Sequence, residues 1–185
     1  MTMEHIAPHT TPPISIRAGR YRLDPARTRV SFSAKKFGLF TIRGTMDVVD
    51  GTFTAATPLE QSSLHAVLAA DSFRTPMAKR DEHVKGKSLL DAAAYPLVEF
   101  DSTAVATVAG GWEIRGLLSV HGTVAPAVLS LTAASAQGDL VHVDAAGRID
   151  RRAFGVTGMR AAASRHVDVR IEAVGTPVSG RPQPG

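Results

Sequence analysis

Alternating apolar and polar residues run through most of the chain between residues 21 and 174. In the segment 29–35, Val30, Phe32 and Ala34 share one face and polar residues occupy the other. Successive side chains of a strand point to opposite faces, so this alternation predicts a half-buried β-strand. The pattern recurs in segments 21–23, 42–48, 64–70, 98–104, 112–120, 127–133, 140–149 and 165–174. Roughly eight or nine strands at this spacing predict an antiparallel barrel or sandwich.

One basic segment interrupts the strands, "TPMAKRDEHVKGKSLLDAAAYPLVEFDS", residues 75–102. Thr75-Pro76 is a good helix start, because a capping hydroxyl is followed by proline at the first helical position. Gly86 is expected to break the helix, and Pro96 requires extended backbone before it. We therefore predict one or two short helices over about residues 76–92, at one mouth of the barrel.

The predicted helix carries a basic face with two open interpretations. Lys79, His83 and Lys87 are four residues apart and share that face, with Arg80 beside them. A run of cations on a helix is often a solvated surface. The alternative is an anion-binding rim at the mouth of the barrel.

Composition limits the classes of partner. With 44% hydrophobic and 21% charged residues, the chain has the balance of a globular protein. A net charge of +4 does not by itself indicate nucleic-acid binding, and the arginines are not interleaved with aromatic residues. We therefore expect no nucleic-acid partner. The absence of cysteine excludes disulfides and thiol chemistry.

Catalytic and metal-binding motifs are not visible in the sequence. The seven histidines include no HExxH pair, and no G-x-S-x-G, G-x-G-x-x-G or P-loop occurs. The sequence thus predicts no catalytic site, no metal site and no cofactor. A hydrolase or metal-dependent enzyme with a His/carboxylate site, such as Asp81-Glu82-His83, stays open as the alternative.

Four blocks of the chain carry a recognisable pattern. They are "YRLDPARTRVSFSAKKFGLFTIRGTM", "FRTPMAKRDEHVKGKSLLDAAAYPLVEFDS", "WEIRGLLSVHGTVAPAVLSL" and "GRIDRRAFGV". The most specific elements are Arg80-Asp81-x-His83 leading to Tyr95-Pro96, and Val120-His121-Gly122-Thr123 followed by Pro126. In this order the blocks resemble the YceI-like family of lipocalin-like polyisoprenoid-binding proteins, and the resemblance covers roughly residues 19–178.

The resemblance implies an all-β fold, a lipocalin-like antiparallel eight-stranded barrel around an apolar tunnel for an isoprenoid chain. We expect the barrel domain over residues 18–178, a mobile N-terminal tail at 1–17 and a C-terminal tail at 179–185. No signal peptide is visible, so we expect a cytoplasmic protein, although many relatives are exported. We expect no stable membrane insertion, and a homodimer stays open.

The apolar faces supply the predicted ligand site. An eight-stranded barrel either fills itself with side chains or holds one small ligand. Small inward residues, Ala34, Gly44, Ala66, Ala70, Ser102, Ala104 and Gly116, would leave space beside the large ones. The predicted tunnel lining is Phe32, Ala34, Ile42, Met46, Val48, Leu64, Leu68, Val98, Phe100, Trp112, Ile114 and Leu118.

The predicted ligand is a long-chain apolar amphiphile, a polyisoprenoid or isoprenoid quinone, which the protein would carry, store or sense without chemistry. The head group would be held at the mouth by Lys79, Arg80, His83 and Arg152. A third reading is a stress-related interaction module whose barrel is filled by its own side chains.

Overall fold

The computed structural model describes residues 14–158 and 163–178. The predicted tails, 1–17 and 179–185, lie outside this range apart from residues 14–17. Of these, Ile14–Ser15 forms a short strand, β1, which pairs in parallel with residues 134 and 135. Across the described ranges, no helix combines the length and the hydropathy that a membrane span requires.

The predicted segments form strands, several of them longer than the alternation indicated. The predicted strand 42–48 ends at Met46, and Val48 begins a separate strand, Val48–Ala55, that was not predicted. Each strand begins or ends at a turn or at the basic segment. In chain order after β1 they are β2 (Gly19–Leu23), β3 (Arg29–Lys36), β4 (Phe40–Met46), β5 (Val48–Ala55), β6 (Ser63–Ala69), β7 (Leu97–Val108), β8 (Gly111–Val120), β9 (Thr123–Gln137), β10 (Leu140–Asp150) and β11 (Ala163–Pro177).

Eight of the described strands close into a barrel. The order around the wall is β9, β8, β7, β6, β5, β2, β11 and β10, and β10 pairs back with β9. All of these neighbours are antiparallel. The β3–β4 hairpin extends the wall, because β3 pairs with β11 beyond the stretch that pairs with β2. The predicted eight-stranded antiparallel, lipocalin-like barrel is confirmed.

One β-bulge reverses a predicted orientation in β7. Val98 and Phe100 are buried as the alternation predicts, but the register against β8 shifts between Ser102 and Ala104. A bulge adds one residue to one strand, so the side chains beyond it change face. Val105 is therefore buried and Ala104 is exposed. The expectation that Ala104 faces the interior is wrong for this reason.

Glycines in the wall decide how the large interior side chains lie. A Cβ placed on Gly44 would lie 2.5 Å from the ring of Phe32, the residue opposite it on β3. A Cβ on Gly116 would lie 2.5 Å from the ring of Phe100. Each ring therefore lies in close contact with the strand next to its own, over a position that has no side chain. This arrangement holds the two rings against the wall and leaves space along the barrel axis.

The basic segment within residues 75–102, which we call the mouth segment, contains one α-helix, α1 (Ala78–Lys85). Two 3₁₀ turns lie in the loops before this segment, at Leu59–Gln61 and Ala70–Ser72. The helix begins later than predicted. The Thr75 hydroxyl accepts a hydrogen bond from the Met77 amide at 3.3 Å. The Thr75 amide and the Thr75 hydroxyl both donate hydrogen bonds to the Asp81 carboxylate. These bonds fold residues 75–77 into a turn before the helix, so Pro76 is not helical. Gly86 ends the helix, as predicted.

Candidate functional site

The barrel encloses a cavity of about 410 Å³. Ile16 and Leu59 line it near the end where β1 lies, and Arg80, Leu89 and Phe154 line it at the mouth segment. The cavity thus runs along the barrel axis between its two ends. Its volume is within the range of about 300–1,000 Å³ that is typical of small-molecule sites.

The predicted lining residues surround this cavity, with one exception. All of them except Trp112 contribute to its surface. Trp112 instead packs, partly buried, against the cluster that contains Phe100 and Ile114. Whether the lining residues contact a ligand stays a prediction, but the structure brings them together around one apolar space.

Several lining residues from the C-terminal half were absent from the predicted site. They occupy the inward face of the last three strands, where the same alternation could have identified them, or the loops at the mouth. These residues are Leu129, Leu131, Val143, Ala145, Ile149, Phe154, Val156, Val167, Val169, Ile171 and Ala173.

Among the described residues, the charged ones on the cavity surface are Lys36, Arg80 and Arg151, all at the mouth. Of the predicted rim residues only Arg80 lines the cavity, whereas Lys79, His83 and Arg152 are exposed to solvent. For Lys79 and His83 the helix explains the exposure, because successive residues of α1 point about 100° apart and only one side of α1 can face the barrel. A contact between these exposed side chains and a head group stays a prediction.

The predicted head-group rim included Arg152 and omitted its neighbour Arg151. A short 3₁₀ helix, Arg151–Phe154, follows β10, and Asp150 caps it by accepting the Arg152 amide at 3.0 Å. This turn buries Arg151, which is only 8% exposed, and leaves Arg152 outside. Sequence alternation cannot show such a reversal, because it takes place after the strand has ended.

Backbone carbonyls hold the Arg151 guanidinium in place. Nη1 donates to the Val156 carbonyl at 2.6 Å and to the Gly158 carbonyl at 2.9 Å. Nε donates to the Ser164 carbonyl at 2.8 Å, and Nη2 to the Ala163 carbonyl at 3.1 Å. A buried charge is costly unless it is hydrogen-bonded. Arg151 therefore ties the loop after β10 to the start of β11 and places a positive charge beside the cavity.

Asp81 fixes the start of α1 and so the position of Arg80. Burial alone would raise the pKa of Asp81, but hydrogen bonds from Thr75 and the charges of Lys85 and Arg80 outweigh it, so its pKa lies below the ordinary range. The carboxylate is thus ionised at neutral pH. From the first turn of the helix, the carboxylate reaches back to Thr75 in the preceding turn.

Two histidines of the described ranges, His65 and His121, make local contacts. The His65 ring lies 2.7 Å from a carboxylate oxygen of Asp101 on the outer wall, and the His121 ring packs edge-on against Tyr95 at 5.1 Å between centroids. No three His, Asp or Glu side chains of residues 14–158 and 163–178 are grouped closely enough to hold a metal ion.

The closed eight-stranded antiparallel barrel around an apolar interior is the lipocalin-like architecture. The family model for the YceI-like domain matches residues 21–175. The chain belongs to the YceI-like family.

Relatives of known sequence carry the name UPF0312 protein. One from Yersinia pestis (strain Pestoides F) is 27% identical over 169 residues, which cover 87% of this chain and 88% of the relative. One from Pseudomonas savastanoi pv. phaseolicola (strain 1448A / Race 6) is 39% identical over 106 residues, 56% of this chain. That match spans about half the length of the Pseudomonas relative, 55%.

Solved structures share the fold. BcnA from Burkholderia cenocepacia superposes with a TM-score of 0.71 at 23% identity, covering 82% of this chain and 98% of that one. A polyisoprenoid binding domain from Saccharophagus degradans, implicated in plant cell wall breakdown, gives a TM-score of 0.64 at 14% identity, with 88% and 100% covered. At these identities the likeness is one of fold.

Proposed function

We propose that this protein binds a long-chain apolar amphiphile, a polyisoprenoid or an isoprenoid quinone, inside the barrel. The observation that carries the proposal is a continuous apolar cavity along the barrel whose charged lining residues, within the described ranges, are cations at one end. A chain-like ligand with one polar end matches this distribution. The polyisoprenoid binding domain of similar fold supports the same class of ligand. An interior filled by its own side chains does not fit the cavity.

Hydrophobic transfer supplies enough free energy for such binding. Burying one methylene contributes about 0.8 kcal/mol, so a five-carbon isoprene unit contributes at most about 4 kcal/mol. Three units would contribute up to about 12 kcal/mol, against an association cost of about 4 kcal/mol or more. The favourable free energy that remains is at most about 8 kcal/mol, and this upper bound corresponds to micromolar affinity. The apolar chain can therefore bind without a specific polar contact.

The head group would be selected at the mouth. Arg80 and Lys36 present cationic side chains to the cavity, and Arg151 adds a fixed charge beside it. A diphosphate or a quinone oxygen accepts hydrogen bonds from such donors. Lys79, His83 and Arg152 would contribute only to parts of a head group that extend into solvent.

Native mass spectrometry with a matched pair of variants tests this function. Ala127 faces the cavity and Ser130 is exposed on the same strand. We expect the protein purified from its own host to carry an isoprenoid-type lipid, or to take up a prenyl alcohol when it is supplied. Ala127→Phe should reduce occupancy because the ring fills the lumen, whereas Ser130→Phe should not.

Two results would overturn the proposal: a wild-type protein that neither co-purifies with lipid nor takes up a prenyl compound, or equal occupancy in the two variants. Circular dichroism and thermal unfolding of each variant establish that it is folded. The wild-type measurement decides the question even if Ala127→Phe does not fold.

The proposed role is binding without chemistry, and the enzyme alternative has its own test. A screen of ester and other hydrolase substrates, with and without EDTA, would detect turnover. Activity that co-purifies with the barrel and is abolished by chelation would favour a metal-dependent enzyme over a passive carrier.

A further inference from the structure

The turn between β3 and β4 exposes a cluster of large apolar side chains. Phe37 is 60% exposed, Leu39 79% and Phe40 65%. Met77, in the turn before α1, is 52% exposed and lines the same surface groove as Phe37 and Phe40. Scattered exposed apolar residues are ordinary, but several grouped at one tip mark an interaction surface.

The backbone of this turn makes the exposure more informative. Phe37 has φ of 50° and Gly38 of 71°, and the Leu39 amide closes the turn by donating to the Lys36 carbonyl at 3.1 Å. Asparagine, aspartate or glycine is favoured where φ is positive, and a bulky aromatic residue is not. Because the Phe37 ring is mostly in solvent, packing within the fold does not account for its presence there.

Cations surround the apolar tip. Lys36 places its Nζ 5.4 Å from the centre of the Phe37 ring. Arg43 and Arg80 line the groove, and the Arg80 guanidinium lies 3.7 Å from the Met77 sulfur. No acidic side chain of the described ranges lines this groove. The tip therefore combines apolar groups with positive charge.

The groove is continuous with the interior of the barrel. Lys36, Ile42 and Arg80 line both the groove and the central cavity. In the part of the chain that the structure describes, the outer edge of β4 pairs with neighbouring backbone only through the bridge between Thr45 and Arg74. The side of the barrel between β4 and α1 is thus the place where a chain could pass laterally into the cavity.

We propose that this surface, which we call the mouth lip, docks on an anionic phospholipid bilayer. The mouth lip consists of Lys36, Phe37, Leu39, Phe40, Arg43, Met77 and Arg80. Its apolar tip would enter the interfacial region while its cations lie against the lipid phosphates, the combination used by peripheral membrane proteins. A bilayer is favoured over a protein partner because the lip joins an apolar cavity, so an amphiphile could move from bilayer to barrel without crossing water.

The docking surface goes beyond the proposed ligand binding and can be tested separately from it. Leu39 is the most exposed apolar residue of the lip and lines neither the groove nor the cavity. Val128 is 42% exposed on β9, on the outer wall away from the lip, and provides a matched control. Leu39→Asp and Val128→Asp thus remove similar apolar groups at different places.

Co-sedimentation with vesicles of phosphatidylglycerol and phosphatidylcholine in equal parts measures the docking. We expect the wild-type protein to bind these vesicles at low salt and to bind pure phosphatidylcholine vesicles weakly. Leu39→Asp should weaken binding by about tenfold or more, as loss of one inserted leucine implies. Val128→Asp should bind as the wild type does. Arg43→Glu should weaken binding to the anionic vesicles and flatten its dependence on salt.

Three outcomes would overturn the proposal. They are no binding of the wild type to the mixed vesicles, binding that ignores lipid charge, and equal loss in Leu39→Asp and Val128→Asp. If the first of these outcomes is accompanied by capture of a protein through the lip, the surface belongs to a protein partner. Prenyl alcohol uptake by Leu39→Asp, measured by native mass spectrometry, should stay at the wild-type level, which separates failure to dock from failure to bind a ligand.

Discussion

Two turns at the mouth end of the barrel have closely matching positive φ values, but one is exposed and the other is covered by an aromatic ring. Phe37-Gly38 has φ values of 50° and 71°, and His121-Gly122 has 53° and 71°. Tyr95 covers the second turn so closely that a Cβ on Gly122 would overlap its ring, whereas a Cβ on Gly38 would have no neighbour within 4 Å among the residues that the structure describes. At His121-Gly122, packing against Tyr95 accounts for the strained backbone. Phe37 is a bulky residue that has a strained backbone and is exposed to solvent, and such a residue indicates a function at the surface.

Alanine at the two turn glycines should give the largest difference. Both positions have positive φ, where alanine costs about 1–2 kcal/mol of stability. At Gly122 the added methyl also meets the Tyr95 ring, and such overpacking costs about a further 1–3 kcal/mol. Urea unfolding should therefore show Gly122→Ala to be clearly less stable than Gly38→Ala. Equal losses would mean that Tyr95 moves away freely and that the covered turn is not held by packing.

The second prediction concerns Gly44, in the barrel wall beside the exposed turn. Gly44→Ala places a methyl against the Phe32 ring and 2.6 Å from the Arg74 carbonyl. We expect a loss of about 1–3 kcal/mol in the free energy of unfolding, since neither neighbour can move without disturbing the sheet. The displaced ring should also lower prenyl uptake. Full stability together with full uptake would show that the glycine is not needed to hold the ring against the wall.

Phe37→Asn separates stability from surface function within the exposed turn. Asparagine tolerates positive φ, so we expect the free energy of unfolding to rise by about 1 kcal/mol. Loss of the exposed ring should at the same time weaken vesicle binding. His121→Asn, the matched change, loses the contact with Tyr95 and should not stabilise. A Phe37→Asn protein that is less stable than the wild type would show that the ring contributes to the fold.

The smallest expected effect concerns the helix beside the exposed turn. The pKa of Asp81 is lowered in the folded protein, so ionised Asp81 stabilises the fold above its ordinary pKa of about 4. That contribution should be lost as the pH falls through the lowered folded value. Thermal unfolding between pH 3 and 7 should show a weaker acid dependence for Asp81→Asn than for the wild type. Parallel curves would assign the acid dependence to other carboxylates, of which Asp150 and Asp168 also have lowered pKa values.

Prediction from the sequence succeeded where one strand was followed at a time. Alternation identified the inward residues from Val30 to Leu118, because the side-chain period of a strand does not depend on its partners. It was wrong at Ala104, where a bulge against β8 changes the face on which the side chain lies. It also placed Trp112 among the lining residues, although Trp112 does not contribute to the cavity surface. Local motifs also misplaced the start of α1, because Asp81 bonds back to Thr75.

The exposed lip was visible in the sequence only as a turn. The letters of Phe37-Gly38-Leu39-Phe40 do not reveal whether an apolar turn is covered by another segment. From the sequence alone His121-Gly122 would also be taken for an exposed turn, because only the structure shows that Tyr95 packs on it. Exposure depends on segments distant along the chain, which sequence patterns do not locate.

By itself, the sequence determined the β architecture, the apolar inward face, the turns and the basic segment at the mouth, because each follows from local periodicity and residue chemistry. The tertiary structure decided that the interior is open, since the Phe32 and Phe100 rings lie over Gly44 and Gly116 on neighbouring strands. It also decided that Arg151 and not Arg152 faces the cavity, and that no segment within residues 14–158 and 163–178 covers the β3–β4 turn. These outcomes depend on which strands become neighbours, and closure of the barrel is the event that makes them so.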